Sequence, residues 1–323
     1  MNRFELARAT TPAEARDLAA EKPGSVLKAG GIDVLDHLKE RLLEPPRVVD
    51  IRRIPGLDAI TVEKDGSLKI GALATLAKVA AHAGVKATHP ALARACGEAA
   101  SPQIRNVATI GGNLLQRPRC WYYRLEQYKC VKKGGDLCYA VAGENRYHVL
   151  FGGGPAYPPH PSNSAVPLVA YGATFVLDGP KGPRTVPAGE FFVLPEKDPT
   201  RENVLQPGEI LTAIHVPAAT GWKSAYYEVR ERAAFDWPLV AAAVGVKTEA
   251  GVVKDARVVL GQVATIPWRS APAEKALVGK RLDAAAAEAA GKAAVEGAVP
   301  MSDNGYKVEL VTTLVRRIVA SLA

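Results

Sequence analysis

The sequence predicts an α+β fold in two parts, and three observations carry that expectation. The chain has 323 residues, enough for two domains or one large domain with a satellite. Segments with helical and with strand patterning are mixed through the first two thirds. After "ILTAIHVPAATGW" the texture changes to a set of strands followed by two helices, which puts a boundary near Pro217 to Gly221.

In "TTPAEARDLAAE", Thr11 at N-cap, Pro12 at N1 and Glu14 at N3 form a capping box and open a helix. "SVLKAGG" is a short strand ending in two glycines. "DVLDHLKERLL" is helical, with Val34, Leu35, Leu38 and Leu42 on one face. "RVVDI", "AITVEKDGSLKIGAL" and "ATFVLDG" are strands, with Asp65-Gly66 as a hairpin turn. "TLAKVAAHAGVKATHPALARACGEAA" reads as two short helices. From Val107 to Ala165 the chain is rich in Gly, Pro and aromatics and poor in periodicity, the signature of a long functional loop. "KSAYYEVRER" and "WPLVAAAVGVKTEAGVVKDARVVLGQVA" predict antiparallel strands. "DAAAAEAAGKAAVEGA" and "KVELVTTLVRRIVASLA" predict the closing helices. Phe235 and Trp237 in "RERAAFDWP" are expected to pack the second domain, with a place beside a bound ligand as the alternative.

Composition narrows the function. Hydrophobic residues are 48% and charged residues 23% of the chain, as in ordinary globular proteins. No apolar run approaches the roughly 18 residues needed to span a bilayer, so no membrane span is expected. "MNRFELARATTPAEARDLAA" lacks the apolar core of a secretory signal. The expected compartment is therefore cytoplasmic, or periplasmic by export on a partner's signal. The net charge of +8 is scattered, with no Lys/Arg run longer than two, so no nucleic acid is expected as partner. The basic excess suits a solvated surface or a face for an acidic partner. No nucleophile elbow, H-E-x-x-H or paired-carboxylate motif is present, which disfavours hydrolase chemistry.

Two glycine turns draw attention. "LKAGGIDVL" is a strand, a double-glycine turn and a helix start. A diphosphate needs several backbone N–H groups converging on its oxygens with no Cβ in the way. Gly30 and Gly31 permit that approach, and the helix beginning near Asp33 adds its positive dipole. A Gly-Gly turn is common, so a plain turn is the alternative. "RNVATIGGNLLQ" repeats the arrangement, with Thr109 and Asn113 as side-chain donors beside Gly111 and Gly112. Two such turns suit a ligand with a diphosphate in its middle, such as FAD. Neither fits G-x-G-x-x-G with an acid about 20 residues on, so a Rossmann fold is not expected. "FGGGP" lacks the Gly-Lys-Ser/Thr of a P-loop.

The remaining signal is "RCWYYRLEQYKCVKKGGDLC", in which Cys120, Cys130 and Cys138 are spaced C-x9-C-x7-C. Four cysteines are too sparse for a disulfide scaffold, and clustered ones read as metal ligands. Cys96 lies on an apolar helical face and reads as a buried small hydrophobe. His37, His82 and His89 are isolated and read as structural or surface residues.

"KAGGIDVL", "SPQIRNVATIGGNLLQRPRCWYYR", "HPSNSAVPLVA", "RERAAFDWPLVAAAV" and "PWRSAPAE" together resemble the FAD-binding (medium) subunit of the xanthine oxidase family of molybdenum hydroxylases. The match runs in order from about Phe4 to Arg317. The resemblance implies an FAD-binding domain of p-cresol methylhydroxylase type over 1–218, built of two α+β subdomains (about 1–55 and 56–218). It implies a C-terminal domain of the CO dehydrogenase flavoprotein type over 219–323, an antiparallel sheet with helices. It places Lys28, Ala29, Gly30, Gly31, Ile32, Asp33 and Val34, with Thr109, Ile110, Gly111, Gly112 and Asn113, on FAD. It also places an acidic residue after "HPS" on the ribose hydroxyls, where this chain has the uncharged Asn163.

The chain further resembles the subset of these subunits, aldehyde oxidoreductase-like, that carries an extra loop (about 117–160) with a [4Fe–4S] cluster. Cys120, Cys130 and Cys138 stand at its first three ligand positions. The fourth is expected in "GGGPCxxxHPS", but this sequence reads "GGGPAYPPHPS", with Ala156 in that place. Thiolates suit iron–sulfur clusters and four are usual. Three thiolates with solvent, Tyr157, His148 or His160 on the last iron, a cubane lacking that iron, and a vestigial loop without metal all stay open.

By the same resemblance, no side chain here is catalytic toward organic substrate, because a large molybdopterin subunit hydroxylates it, an aldehyde or N-heterocycle. Electrons pass through [2Fe–2S] clusters on a small subunit to FAD on this one, and from there to an external electron acceptor. A self-sufficient flavin oxidase or dehydrogenase and an FAD-less assembly protein are the alternatives.

Overall fold

The computed structural model describes residues 1–233 and 235–323, and its strands form three sheets. The first is parallel, in the order β1-β3-β2, from β1 (Glu5–Arg8), β2 (Val26–Lys28) and β3 (Arg47–Asp50). Parallel neighbours need crossovers, and these are α1 (Pro12–Ala20) and α2 (Ile32–Lys39). Thr11 caps α1 by accepting the Glu14 N–H at 3.1 Å. The Glu14 carboxylate reaches back to the Thr10 N–H, one residue earlier than a standard capping box. β1 escaped the sequence reading because it is short and mostly exposed, with no alternation to detect. α2 ends short of its expected extent, since Arg41 turns left-handed (φ 56°) and the N–H groups of Leu42 and Leu43 fold back onto the His37 carbonyl.

The second sheet is antiparallel, in the order β4-β5-β8-β6-β7. It comprises β4 (Ile60–Val62), β5 (Leu68–Gly71), β6 (Thr174–Gly179), β7 (Gly182–Pro187) and β8 (Ile210–Val216). Gly66, at φ 87°, makes the expected β4–β5 turn. The two helices expected before residue 100 are three: Leu76–Ala81, Ala83–Thr88 and Pro90–Glu98. His82 separates the first two by capping the second, its Nδ1 accepting the Val85 N–H, and Pro90 starts the third. Cys96 is fully buried in the apolar core of this sheet.

The third sheet is antiparallel, in the order β12-β11-β10-β9, from β9 (Trp222–Val229), β10 (Val240–Glu249), β11 (Val252–Gly261) and β12 (Trp268–Arg269). One face packs Val244, Val246, Val258 and Leu260 against Leu314, Val315 and Ile318 of the last helix, Tyr306–Ser321. On the other face Ala241, Ala243 and Val259 meet Ala91, Ala95 and Val166. Burial on both faces explains why β10 reads as a nearly unbroken apolar run.

The segment 117–160 has little regular structure: one helical turn, Trp121–Arg124, and a 3-10 turn, Val131–Lys133. Its far end is nonetheless docked. Asn304 Nδ2 donates to the carbonyls of His148 and Val149, and Lys307 Nζ to those of Tyr147 and Gln262. Leu150 and Phe151 are buried in the core of the third sheet. Among the described residues no helix is long and apolar enough to cross a membrane.

Candidate functional site

The two glycine turns meet. α2 begins at Gly31 (φ 86°) without a side-chain cap, so its first N–H groups are left for another acceptor. A Cβ on Gly30 would fall 2.2 Å from the Val107 carbonyl oxygen, on the approach to the second turn. There Thr109 caps the short helix Ile110–Leu114, its Oγ1 accepting the Gly112 N–H at 3.1 Å. A Cβ on Gly111 would fall 2.8 Å from the Ala72 carbonyl oxygen. Both glycines let backbone approach backbone: the Gly30 contact sets the two turns side by side, and the Gly111 contact seats the second turn on the end of β5.

Both turns open onto one cavity of about 780 Å³. Ala29, Gly30, Gly31, Ile32, Asp33 and Val34 line it from the first turn, and Thr109, Gly111, Gly112 and Asn113 from the second. Asn163 joins them. Two residues expected here are elsewhere. Lys28 is held in an ion pair with Asp50 at 2.9 Å, and Ile110 is fully buried in the core of the second sheet. Ile110 anchors the short helix of the second turn in that core.

The polar side chains of the cavity are oriented by neighbours. Asn113 Oδ1 accepts from Ser162 Oγ at 2.7 Å and from Ser164 Oγ at 2.6 Å, so what Asn113 can offer a ligand is its amide Nδ2. Asn163 Nδ2 donates to Glu228 Oε2 at 2.7 Å, leaving Oδ1 as an acceptor. Burial raises Glu228 above the ordinary carboxylate range despite Tyr226 and Arg230 beside it. Glu228 comes from β9, so the second part of the chain aims a residue of the first. Nothing in "YYEVRER" signals that role. Phe235 and Trp237 also line the cavity, with Phe235 60% exposed. The expectation that they pack the second domain is corrected, because the β9–β10 connection carries them outward.

Salt bridges strap the cysteine loop to α2. Arg124 Nη2 donates to Asp33 Oδ1 at 2.8 Å, the Arg117 N–H donates to Asp33 Oδ2 at 3.0 Å, and Arg119 pairs with Asp36. Burial pushes Asp33 up, but Arg124 and its other partners hold it below its ordinary value. His37, read as structural, is buried and contacts Tyr123 Oη at 2.9 Å through Nε2. Farther along the loop, Glu202 bonds Arg117 Nε at 2.9 Å and Lys132 Nζ at 2.6 Å.

Within the loop, Cys130 and Leu137 form an isolated bridge that returns the chain to Cys138. A Cβ on Gly135 would fall 1.9 Å from the Lys129 carbonyl oxygen, so this return requires glycine. Burial pushes the Cys120 thiol up to about 12, against backbone N–H groups of Tyr123 and Tyr122, with Cys138 and Cys130 adding to the rise. Cys138 is raised by burial too, an effect that the nearby backbone N–H groups of Ala140 and Tyr157 partly offset. The three thiols thus lie within electrostatic reach of one another. Among the described residues, no three His, Cys, Asp or Glu side chains converge tightly enough to hold a single metal ion.

Two family models divide the chain. The FAD binding domain in molybdopterin dehydrogenase matches residues 2–219. The chain belongs to the FAD-binding medium subunits of the xanthine oxidase family of molybdenum hydroxylases. The CO dehydrogenase flavoprotein C-terminal domain matches residues 225–322 of this flavoprotein subunit. The subunit is 35% identical to the aldehyde oxidoreductase FAD-binding subunit PaoB of Escherichia coli (strain K12), over 99% of this chain and 98% of that one. It is 30% identical to the carbon monoxide dehydrogenase medium chain of Hydrogenophaga pseudoflava, over 90% and 86%. A solved carbon monoxide dehydrogenase structure from Hydrogenophaga pseudoflava superposes with a TM-score of 0.77 at 29% identity, covering 98% of this chain and 96% of that one. This flavoprotein subunit is thus an oxidoreductase component with the mixed helix-and-sheet fold of its family.

Proposed function

We propose that this subunit holds FAD across its two glycine turns and passes electrons between a small [2Fe–2S] subunit and an external acceptor, within a heterotrimer whose large subunit carries molybdopterin. The observation that carries the reading is the single cavity onto which both turns and Asn163 open. FAD, when bound, supplies the redox chemistry, accepting electrons and releasing them to the acceptor.

The chain's own residues bind and orient. The uncapped N–H groups at the start of α2 bind a diphosphate, and the second turn adds the side-chain amide Nδ2 of Asn113. Asn163 Oδ1, aimed by Glu228, accepts from a ribose hydroxyl and so does the work expected of an acid there. Phe235 and Trp237 offer aromatic surface beside the ring system. Cys120, Cys130 and Cys138 hold an iron–sulfur cluster beside the flavin helix, to which Arg119 and Arg124 strap them. Aldehydes are the substrate class we assign to the complex, from the likeness over the full chain to an aldehyde oxidoreductase subunit.

Flavin and iron content of the anaerobically purified complex tests the reading. About one FAD per chain, reduced by an aldehyde only when the molybdenum subunit is present, is the expected result. Flavin reduction by the isolated subunit would identify a self-sufficient dehydrogenase instead. Colourless protein after gentle purification would identify an assembly protein without FAD.

A further inference from the structure

We propose that Arg119 is the cation of the flavin cradle and donates from its guanidinium to the cofactor's diphosphate. This rests on the reading that the cavity holds FAD. Built from its turns alone, the cradle has an adverse charge. The start of α2 offers uncapped N–H groups, but Asp33 and Asp36 of the same helix line the same cavity, and two carboxylates repel a diphosphate. A counter-charge has to come from outside the helix, and the base of the cysteine loop brings it. Arg119 lines the cavity, pairs with Asp36 and holds its Nη2 3.8 Å from Asp33 Oδ1. Its guanidinium therefore lies along the helix start whose N–H groups are open to a ligand.

Of the three arginines near α2, Arg119 is the one with donors to spare. Arg124 gives Nε to the Pro118 carbonyl and Nη2 to Asp33 and the Arg117 carbonyl. Arg117 gives Nε to Glu202 and Nη2 to the Thr200 carbonyl. Arg119 gives Nη1 to Asp36, while its Nε is buried without a hydrogen-bond partner. The 3.8 Å from Nη2 to Asp33 is beyond hydrogen-bond distance. Trp237, which also lines the cavity, holds the guanidinium in place, with its ring centre 4.8 Å from the guanidinium carbon.

The ion pairs also leave a surplus. Arg117, Arg119, Arg124 and Lys132 pair with Asp33, Asp36 and Glu202, four cations to three carboxylates. One positive charge is left for a ligand, and away from bulk water it is weakly screened. A guanidinium presents its N–H groups as a planar fork that matches phosphate oxygens, so shape and charge both suit a diphosphate.

The test is rebinding of FAD to the flavin-stripped native complex in competition with ADP, AMP and adenosine, followed by flavin fluorescence at low and high salt. Wild type is expected to prefer ADP to AMP and adenosine, and salt should reduce that preference. Arg119→Gln should weaken ADP about 10- to 100-fold, the range of a charge-assisted hydrogen bond, and leave adenosine unchanged. Arg119→Lys should recover part of the loss, since it keeps the charge and gives up the fork. Asp36→Asn releases Arg119 from its carboxylate and should tighten ADP, a gain that disappears when Arg119→Gln is added. Equal losses of ADP and adenosine in Arg119→Gln would mean a packing role, and unchanged ADP binding would leave the diphosphate to the backbone. Either result overturns the proposal and leaves the flavin reading intact. A complex that is purified without FAD and rebinds none would overturn the flavin reading, and this proposal with it.

Discussion

The flavin cradle and the cysteine loop lie against the same helix, α2, yet they are built in opposite ways. The cradle is made largely of backbone: the uncapped N–H groups at the start of α2, brought beside the second turn because Gly30 lets main chain touch main chain at Val107. The loop is made of side chains: three thiols, a histidine and a wall of aromatics such as Tyr122 and Tyr128, 5.1 Å apart. A backbone site tolerates change of side chain but not of shape. A side-chain site tolerates change of shape but not of chemistry. One alanine at 156 therefore puts the coordination of the proposed cluster in question, while Asn163 in an acid's place leaves a usable acceptor.

The largest expected effect breaks the cradle. Gly30→Val drives a branched side chain into the Val107 carbonyl and separates the turns, so FAD per chain should fall at least ~10-fold, equivalent to about 1.4 kcal/mol or more. FAD retained at full stoichiometry would show that the two turns do not act together. Cys138→Ser tests the loop in isolation. The iron beyond the [2Fe–2S] clusters should be lost while flavin absorbance is unchanged, and loss of both would mean that the two sites are not separable.

Asp33→Asn probes the strap between the sites. It weakens the charge-assisted bond from Arg124, with an expected cost of about 2 kcal/mol and a Tm lower by several degrees. Iron and flavin retention should loosen in parallel, and a change in only one would argue against coupling through α2. The smallest effect is pH-dependent. Burial opposes ionisation of Glu202, but Arg117 and Lys132 hold its pKa below the ordinary value. The folded chain therefore binds that proton less tightly than the unfolded chain. The stabilisation is full above the unfolded value of about 4.3 and is lost as pH falls through the lower folded one. The stability difference between wild type and Glu202→Gln, followed by thermal unfolding, should be constant above about pH 5 and shrink below about pH 4. A difference unchanged in acid would assign it to packing and not to charge.

Much of this protein was legible in local sequence. Thr11 with Pro12 announced α1, Asp65-Gly66 announced a hairpin, and the two Gly-Gly turns marked where strand gives way to helix. These are short-range effects of sterics and hydrogen bonding within a few residues, so adjacent letters suffice. Together with the ordered motifs they were enough to determine the family and the flavin cofactor. Some elements left no local trace. β1 is too short and exposed to alternate, and Phe235 and Trp237 look like core residues until the β9–β10 connection is seen to carry them to the cavity.

Only the tertiary structure decided the pairings between distant residues. Glu228 aims Asn163 across 65 positions, Arg124 reaches Asp33 across 91, and His148 meets Cys120 across 28. No local propensity encodes such contacts, because they depend on how three sheets pack and on where a docked loop brings its far end. Sequence determined which donor and acceptor atoms are available to a ligand. Packing decided which of them face each other, since a ligand is recognised by the distances between donors and not by their order along the chain.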